Sequence, residues 1–163
     1  MESFVTWLAD SPVSHAFGRQ APWAWPLCET LHFFGLCLLV GIAGFFDLRL
    51  LGFAKSVSIR AAKDFMPWAI FGFSLNLFTG AYFFIAQPTQ YIGNRAWPPK
   101  LFFLVLAGLN ALFFEKALGA RVRALGPNDD TPLSFKIIGA VSLVSWFGVL
   151  YFGRMLAFYG IAN

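Results

Sequence analysis

Residues 26–51 read PLCETLHFFGLCLLVGIAGFFDLRLL. A helix needs about 20 predominantly apolar residues to cross a hydrocarbon core. This run is longer than that and holds an imidazole and carboxylates. His32 sits where the bilayer would be, with Glu29 three positions before it. An ionisable group in lipid is costly unless partnered, so such a residue marks a functional site by default. At a spacing of three, Glu29 and His32 share a helix face. That face continues through Leu36, Val40 and Ala43 to Asp47. The pattern predicts a buried polar site inside a membrane helix bundle.

Three further runs are long enough to span. The spans are expected at about 26–51, 65–86, 100–118 and 133–159, within one membrane domain covering 1–163. Residues 65–94 contain no charge and no histidine, which makes the second span the plainest. The runs are continuous rather than alternating, which selects helices over a β-barrel. The expected fold is all-α, an integral membrane four-helix bundle. Short connections fall at roughly 52–64, 87–98 and 119–132. The last contains GPNDDTP, a turn cluster in which Thr131 before Pro132 reads as a helix cap. Gly41/Gly44 and Ala107/Ala111 are small pairs expected to admit close helix contact. Residues 1–25 lack the basic start and apolar core of a signal peptide. Phe4, Val5, Trp7 and Leu8 there predict an amphipathic helix lying on the outer membrane surface, broken at Ser11-Pro12.

The chain is 58% hydrophobic, 19% aromatic and 12% charged, with a mean hydropathy of +0.66. A soluble domain carries about 25% charged residues, so the composition independently demands a membrane. The net charge of +4 does not point to nucleic acid, because the cations are dispersed in short loops. Arg49, Lys55, Arg60, Lys63, Lys116, Arg121, Arg123 and Lys136 lie toward one side; Arg19, Arg95, Lys100 and Arg154 toward the other. By the positive-inside rule both termini are expected in the periplasm of a bacterial inner membrane. Trp7, Trp23, Trp25 and Trp97 would form the outer aromatic belt, with Trp68 near the inner face. Cys28 and Cys37 are nine apart, a rise of roughly 13 Å, too far to pair. They read as small apolar residues, Cys28 keeping a lesser share as a soft-metal ligand beside His32. No nucleophile elbow, phosphate loop, H-E-x-x-H or dinucleotide fingerprint is present.

On this topology Glu29, His32, Lys100 and Arg154 occupy one depth in the outer leaflet. His32 would be a haem or metal ligand with Glu29 as its hydrogen-bonding partner. Lys100 and Arg154 would hold acidic groups of a haem, a quinone or a lipid. The alternatives are interhelical hydrogen bonding for His32, snorkelling for Lys100 and a structural ion pair for Arg154. His15 is expected at the solvated interface. Asp47 and Arg49 read as an inner-face anchor. Asn110, Ser74, Asn76, Thr79, Ser142 and Ser145 are expected to hydrogen-bond between helices.

The strings PLCETLHFFGLCLLVG and DLRLLG in the first span, with TGAYFF (79–84), KLFFLVLAGLN (100–110) and WFGVLYFGRMLAF (146–158), resemble a family of small bacterial four-span membrane proteins of unknown function. DLRLLG is the most specific of them. The resemblance implies that His32, Asp47, Arg49, Lys100 and Arg154 match recurrent polar positions. A looser similarity is to copper-resistance D-type membrane proteins and small haem-b membrane cytochromes, in which a histidine near the start of a span serves a metal or cofactor. The expected function is a membrane redox or metal-handling protein with a haem b, quinone or copper site in the outer leaflet. A scaffold subunit of a membrane complex and a small-solute or proton transporter are the alternatives. Expected partners are the lipid bilayer, a second copy of the chain and a periplasmic redox or metal partner.

Overall fold

The computed structural model describes residues 2–15, 22–122, 125–126 and 128–159. The described residues are mostly helical, with no strand among them. A short N-terminal pair, α1 (Glu2–Ala9) and α2 (Pro12–His15), precedes the long α3 (Ala24–Leu50). Next come α4 (Ile59–Asp64), α5 (Met66–Ala86) and the single turn α6 (Pro88–Tyr91). The chain continues as α7 (Trp97–Phe113), a π-helical turn (Phe114–Leu118), α8 (Gly119–Val122) and α9 (Leu133–Met155). Four helices are long and apolar enough to span: Ala24–Leu50, Ile59–Ala86, Trp97–Leu118 and Leu133–Met155. The protein is thus a multi-pass helical membrane bundle, as expected. We call its two ends the Glu29 end and the Asp47 end.

Local chemistry accounts for most boundaries. The third span begins at Trp97 rather than Lys100 because Pro98 and Pro99 fit its first turn, where no backbone N–H is needed. Gln87 leaves helical geometry at φ −140°, ψ 65°, as a residue before proline tends to. The fourth span ends at Met155, short of Tyr159. Thr131 is not the side-chain cap expected for that span. Its hydroxyl instead donates to the Leu50 carbonyl at 2.7 Å, joining the end of α3 to the start of α9. The string DLRLLG also has a local reason for its glycine. Gly52 has φ +99°, its N–H donates to Arg49 O at 3.1 Å, and Phe53 N–H donates to Leu48 O at 3.0 Å. That pair of bonds is a Schellman ending, which demands a left-handed residue.

The spans pack as a row, α5 on α3, α3 on α9, α9 on α7, while α5 and α7 scarcely touch. Glycines set the closest approaches. A Cβ on Gly72 would lie 2.7 Å from Gly35 O, and one on Gly35 would lie 2.8 Å from Gly72 O. A Cβ on Gly139 would lie 2.9 Å from Asp47 O, and one on Gly148 would lie 2.5 Å from the Phe103 ring. Small residues let membrane helices approach in this way. Of the two expected pairs, Gly41 has nothing within 4 Å and Gly44 only a loose contact with Leu143, while Ala107 is buried and Ala111 exposed. Lipid-facing sides are strongly apolar, with Phe34, Phe71, Phe78, Leu109, Phe113 and Phe147 exposed. The interior, by contrast, holds Thr79, Ser142, Ser145, Asp47 and Arg49. The main apolar core lies at the Asp47 end, around Phe46, Leu50, Phe114, Phe135 and Ile138.

Candidate functional site

α3 carries His32 against α5, and the contact is specific. His32 Nδ1 lies 2.7 Å from Thr79 Oγ1. Thr79 is fully buried, and its hydroxyl already donates to Leu75 O at 2.8 Å. A hydroxyl has one proton; with that proton on Leu75 O, Thr79 Oγ1 accepts from His32 Nδ1–H and the imidazole lone pair falls on Nε2. Phe83 meets the ring edge-on at 5.5 Å, and a Cβ on Gly80 would lie 3.9 Å from Cε1. The ring is half-buried and within electrostatic reach of the Lys100 ammonium.

The other expected members are arranged less tightly. Glu29 is exposed, and no ion pair among the described residues includes it. The buried face of α3 runs through Ala24, Cys28, Gly35, Leu39 and Phe46, one position off the face drawn from His32, and meets that face again only at buried Asp47. Lys100 is half-buried; its Nζ lies 5.7 Å from the Trp97 ring centroid and packs where Gly153 leaves room. Arg154 is exposed and sits over Phe158 at 5.3 Å, rather than in an ion pair with Glu29. The structure thus brings His32 and Lys100 toward one another and leaves Glu29 and Arg154 at the surface. Cys28 is buried and Cys37 exposed, both as free thiols. Among the described residues no group of three or more His, Cys, Asp or Glu side chains is placed to hold a metal ion.

An aromatic cluster covers this end between the spans. Tyr91 packs on Trp97 at 5.1 Å and on Phe84 at 5.8 Å, and Phe84 stacks on Trp97 at 5.8 Å. Burial pushes the Tyr91 phenol up to about 12 from 10.0. The folded state therefore holds this proton more tightly than the unfolded chain does. Its contribution is complete below pH 10.0 and falls away as pH rises toward about 12. Ultraviolet phenolate titration should show a last step that disappears in Tyr91→Phe. A wild-type curve lacking any step above the ordinary tyrosine range would refute the buried placement.

At the Asp47 end the inner-face anchor takes an unexpected form. Arg49 is fully buried; its Nε donates to Val57 O at 2.7 Å and Nη2 to Asp129 O at 3.3 Å. It holds two loops by their carbonyls instead of pairing with a carboxylate. Asp47 is 5% exposed, and its Oδ2 has no hydrogen-bond partner. Asn110 Nδ2 donates across to Ile138 O at 3.1 Å, the interhelical bond expected of it. Ser74, Asn76 and Ser145 instead bond carbonyls of their own helix, four residues back, a common habit of such residues. Asp47 lies near the span end, where an interfacial position is expected of an anchor; the close approach of α9, at which a Cβ on Gly139 would lie 2.9 Å from Asp47 O, buries it instead. Comparison with family models, curated proteins and solved structures finds no match.

Proposed function

We propose that this chain is a membrane redox or metal-handling protein whose working group at the Glu29 end is His32 Nε2. The supporting observation is the 2.7 Å contact of His32 Nδ1 with Thr79 Oγ1, a hydroxyl that also lies 2.8 Å from Leu75 O. An imidazole whose Nδ1–H is engaged by a neighbouring acceptor presents a correctly oriented, more basic Nε2, the usual arrangement of ligating histidines. The donor set bears on which group fits. Three-residue metal coordination is absent among the described residues, so a copper site would need donors from elsewhere. A group that a single imidazole can hold suits the residues better. Haem b is such a group; His32 would hold it, and His32 of a second copy would supply a further nitrogen. A quinone hydrogen-bonded to Nε2 is the related alternative. Lys100 would supply positive charge for a propionate or quinone oxygen, and Glu29 and Arg154 would act only at the rim. Bound haem or quinone would supply the electron-carrying chemistry; the chain supplies orientation and a dry site. The Lys/Arg asymmetry supports a periplasmic position for this end in a bacterial inner membrane. The sequence resemblance to small four-span bacterial membrane proteins and haem-b cytochromes is consistent with this reading.

The test is an absorbance spectrum of detergent-purified protein from haem-supplied cells, with parallel metal analysis. A Soret band is expected and should vanish in His32→Ala. Thr79→Val removes the acceptor for Nδ1–H and is expected to weaken retention by about 10–100-fold. If the wild type carries neither haem, quinone nor stoichiometric metal, and His32→Ala changes only melting temperature, His32 is a packing residue and the chain a scaffold.

A further inference from the structure

The row-like packing leaves a consequence at the Asp47 end. α5 and α7 meet through Phe84 and Trp97 at the Glu29 end but diverge toward the other. Between them, with α3 and α9 as the back wall, lies a chamber of about 940 Å³. That is within the range of about 300–1,000 Å³ typical of ligand sites. Its walls are apolar, including Leu39, Phe73, Leu112 and Trp146. Asp47 lines it from α3 with Oδ2 unpartnered, Ser142 stands beside that carboxyl on α9, and Asn110 joins from α7. The amide nitrogen of Asn110 is committed to Ile138 O, which leaves its oxygen to accept. The polar floor therefore offers acceptors at Asp47 Oδ2 and the Asn110 oxygen, with the Ser142 hydroxyl already on the Asp47 carboxyl.

The mouth is bridged. Lys63 of α4 donates to both oxygens of Glu115 in the π-helical turn, at 3.0 and 2.8 Å, and both residues line the chamber. This ion pair joins the α5 side to the α7 side across the gap. The π turn and Gly119 seat the carboxylate; a Cβ on Gly119 would lie 3.2 Å from Glu115 Oε1. Turns of this type recur at functional sites.

We propose that this chamber binds a membrane-partitioned amphiphile with a protonated amine head, its ammonium on Asp47 and its chain along the apolar walls, beneath the Lys63–Glu115 bridge. An ammonium supplies only donors and offsets a buried carboxylate that the Ser142 hydroxyl compensates only in part, Oδ2 being left without a partner. The inference is independent of the role of His32. Full-length protein in phosphatidylcholine nanodiscs is titrated with decylamine, decanol and decanoate, read by tryptophan fluorescence against lipid-only discs. Decylamine should bind at least about tenfold more tightly than decanol, as a charge-assisted bond implies. Asp47→Asn, which keeps shape, should reduce decylamine to the level of decanol without altering decanol. Ala111→Trp, on the exposed wall, should weaken both, and His32→Ala neither. Equal binding of amine and alcohol to the wild type would overturn the proposal, since it means only chain partition. Preference for decanoate, or an unchanged preference for decylamine in folded Asp47→Asn, would overturn it equally. Should Asp47→Asn not fold, the wild-type amine-to-alcohol ratio with Ala111→Trp decides.

Discussion

Gly72→Leu is expected to prevent recovery of folded protein. The backbones of α3 and α5 cross where Gly35 and Gly72 face one another, and even one Cβ on Gly72 would lie 2.7 Å from Gly35 O and 2.9 Å from Leu38 Cβ. Backbone cannot rotate away as a flexible side chain can. Overpacking in a close-packed interior costs about 1–3 kcal/mol, occasionally more, and here the whole α3–α5 seam must open. The seam also carries the His32–Thr79 hydrogen bond, so both are lost together. Gly72→Ala should fold with a clearly lowered melting temperature, and Gly41→Leu, facing open space, should melt near wild type. Size-exclusion profiles and thermal melts in detergent provide the measurement. A monodisperse, wild-type-like Gly72→Leu would show that the helices do not cross here.

Arg49→Ala is the second large effect, a destabilisation of about 3 kcal/mol or more. The guanidinium is fully buried and gives charge-assisted hydrogen bonds to Val57 O and Asp129 O. Such bonds contribute about 1.5–3 kcal/mol each, and removing the guanidinium takes the donor from both loop carbonyls at once. The loop after α3 and the loop before α9 both lose their tie. Arg49→Lys should recover only part of the stability, because a single ammonium cannot present the planar fork that spans two carbonyls. Limited proteolysis should cut Arg49→Ala within residues 53–58 or 125–130 sooner than wild type. Melting within a degree or two of wild type, with unchanged cleavage, would mean that Arg49 is not the loop tie.

The sequence alone determined the solvent and the elements. Continuous apolar runs can satisfy their backbone only as helices, and prolines 67, 88 and 98–99 mark where they begin or end. His32, Asp47, Arg49 and Asn110 were legible as residues too costly or too polar for lipid without a reason. Their directions were not. These spans are apolar on nearly every side, so no polar stripe records which face is inward. The structure turned Glu29 to the surface and Asp47 into the interior, although both lie on the same helix. It also chose Gly35, Gly72, Gly139 and Gly148 over Gly41 as contact points. A glycine is useful only opposite something that must come close, and that partner is on another helix, far along the chain. The order α5–α3–α9–α7, the gap between the two outer members and the chamber that follows from it belong to tertiary packing alone. The physical reason is that hydrophobicity tells a segment to enter the membrane, while only backbone approach and partnered polar groups tell it which neighbour to face.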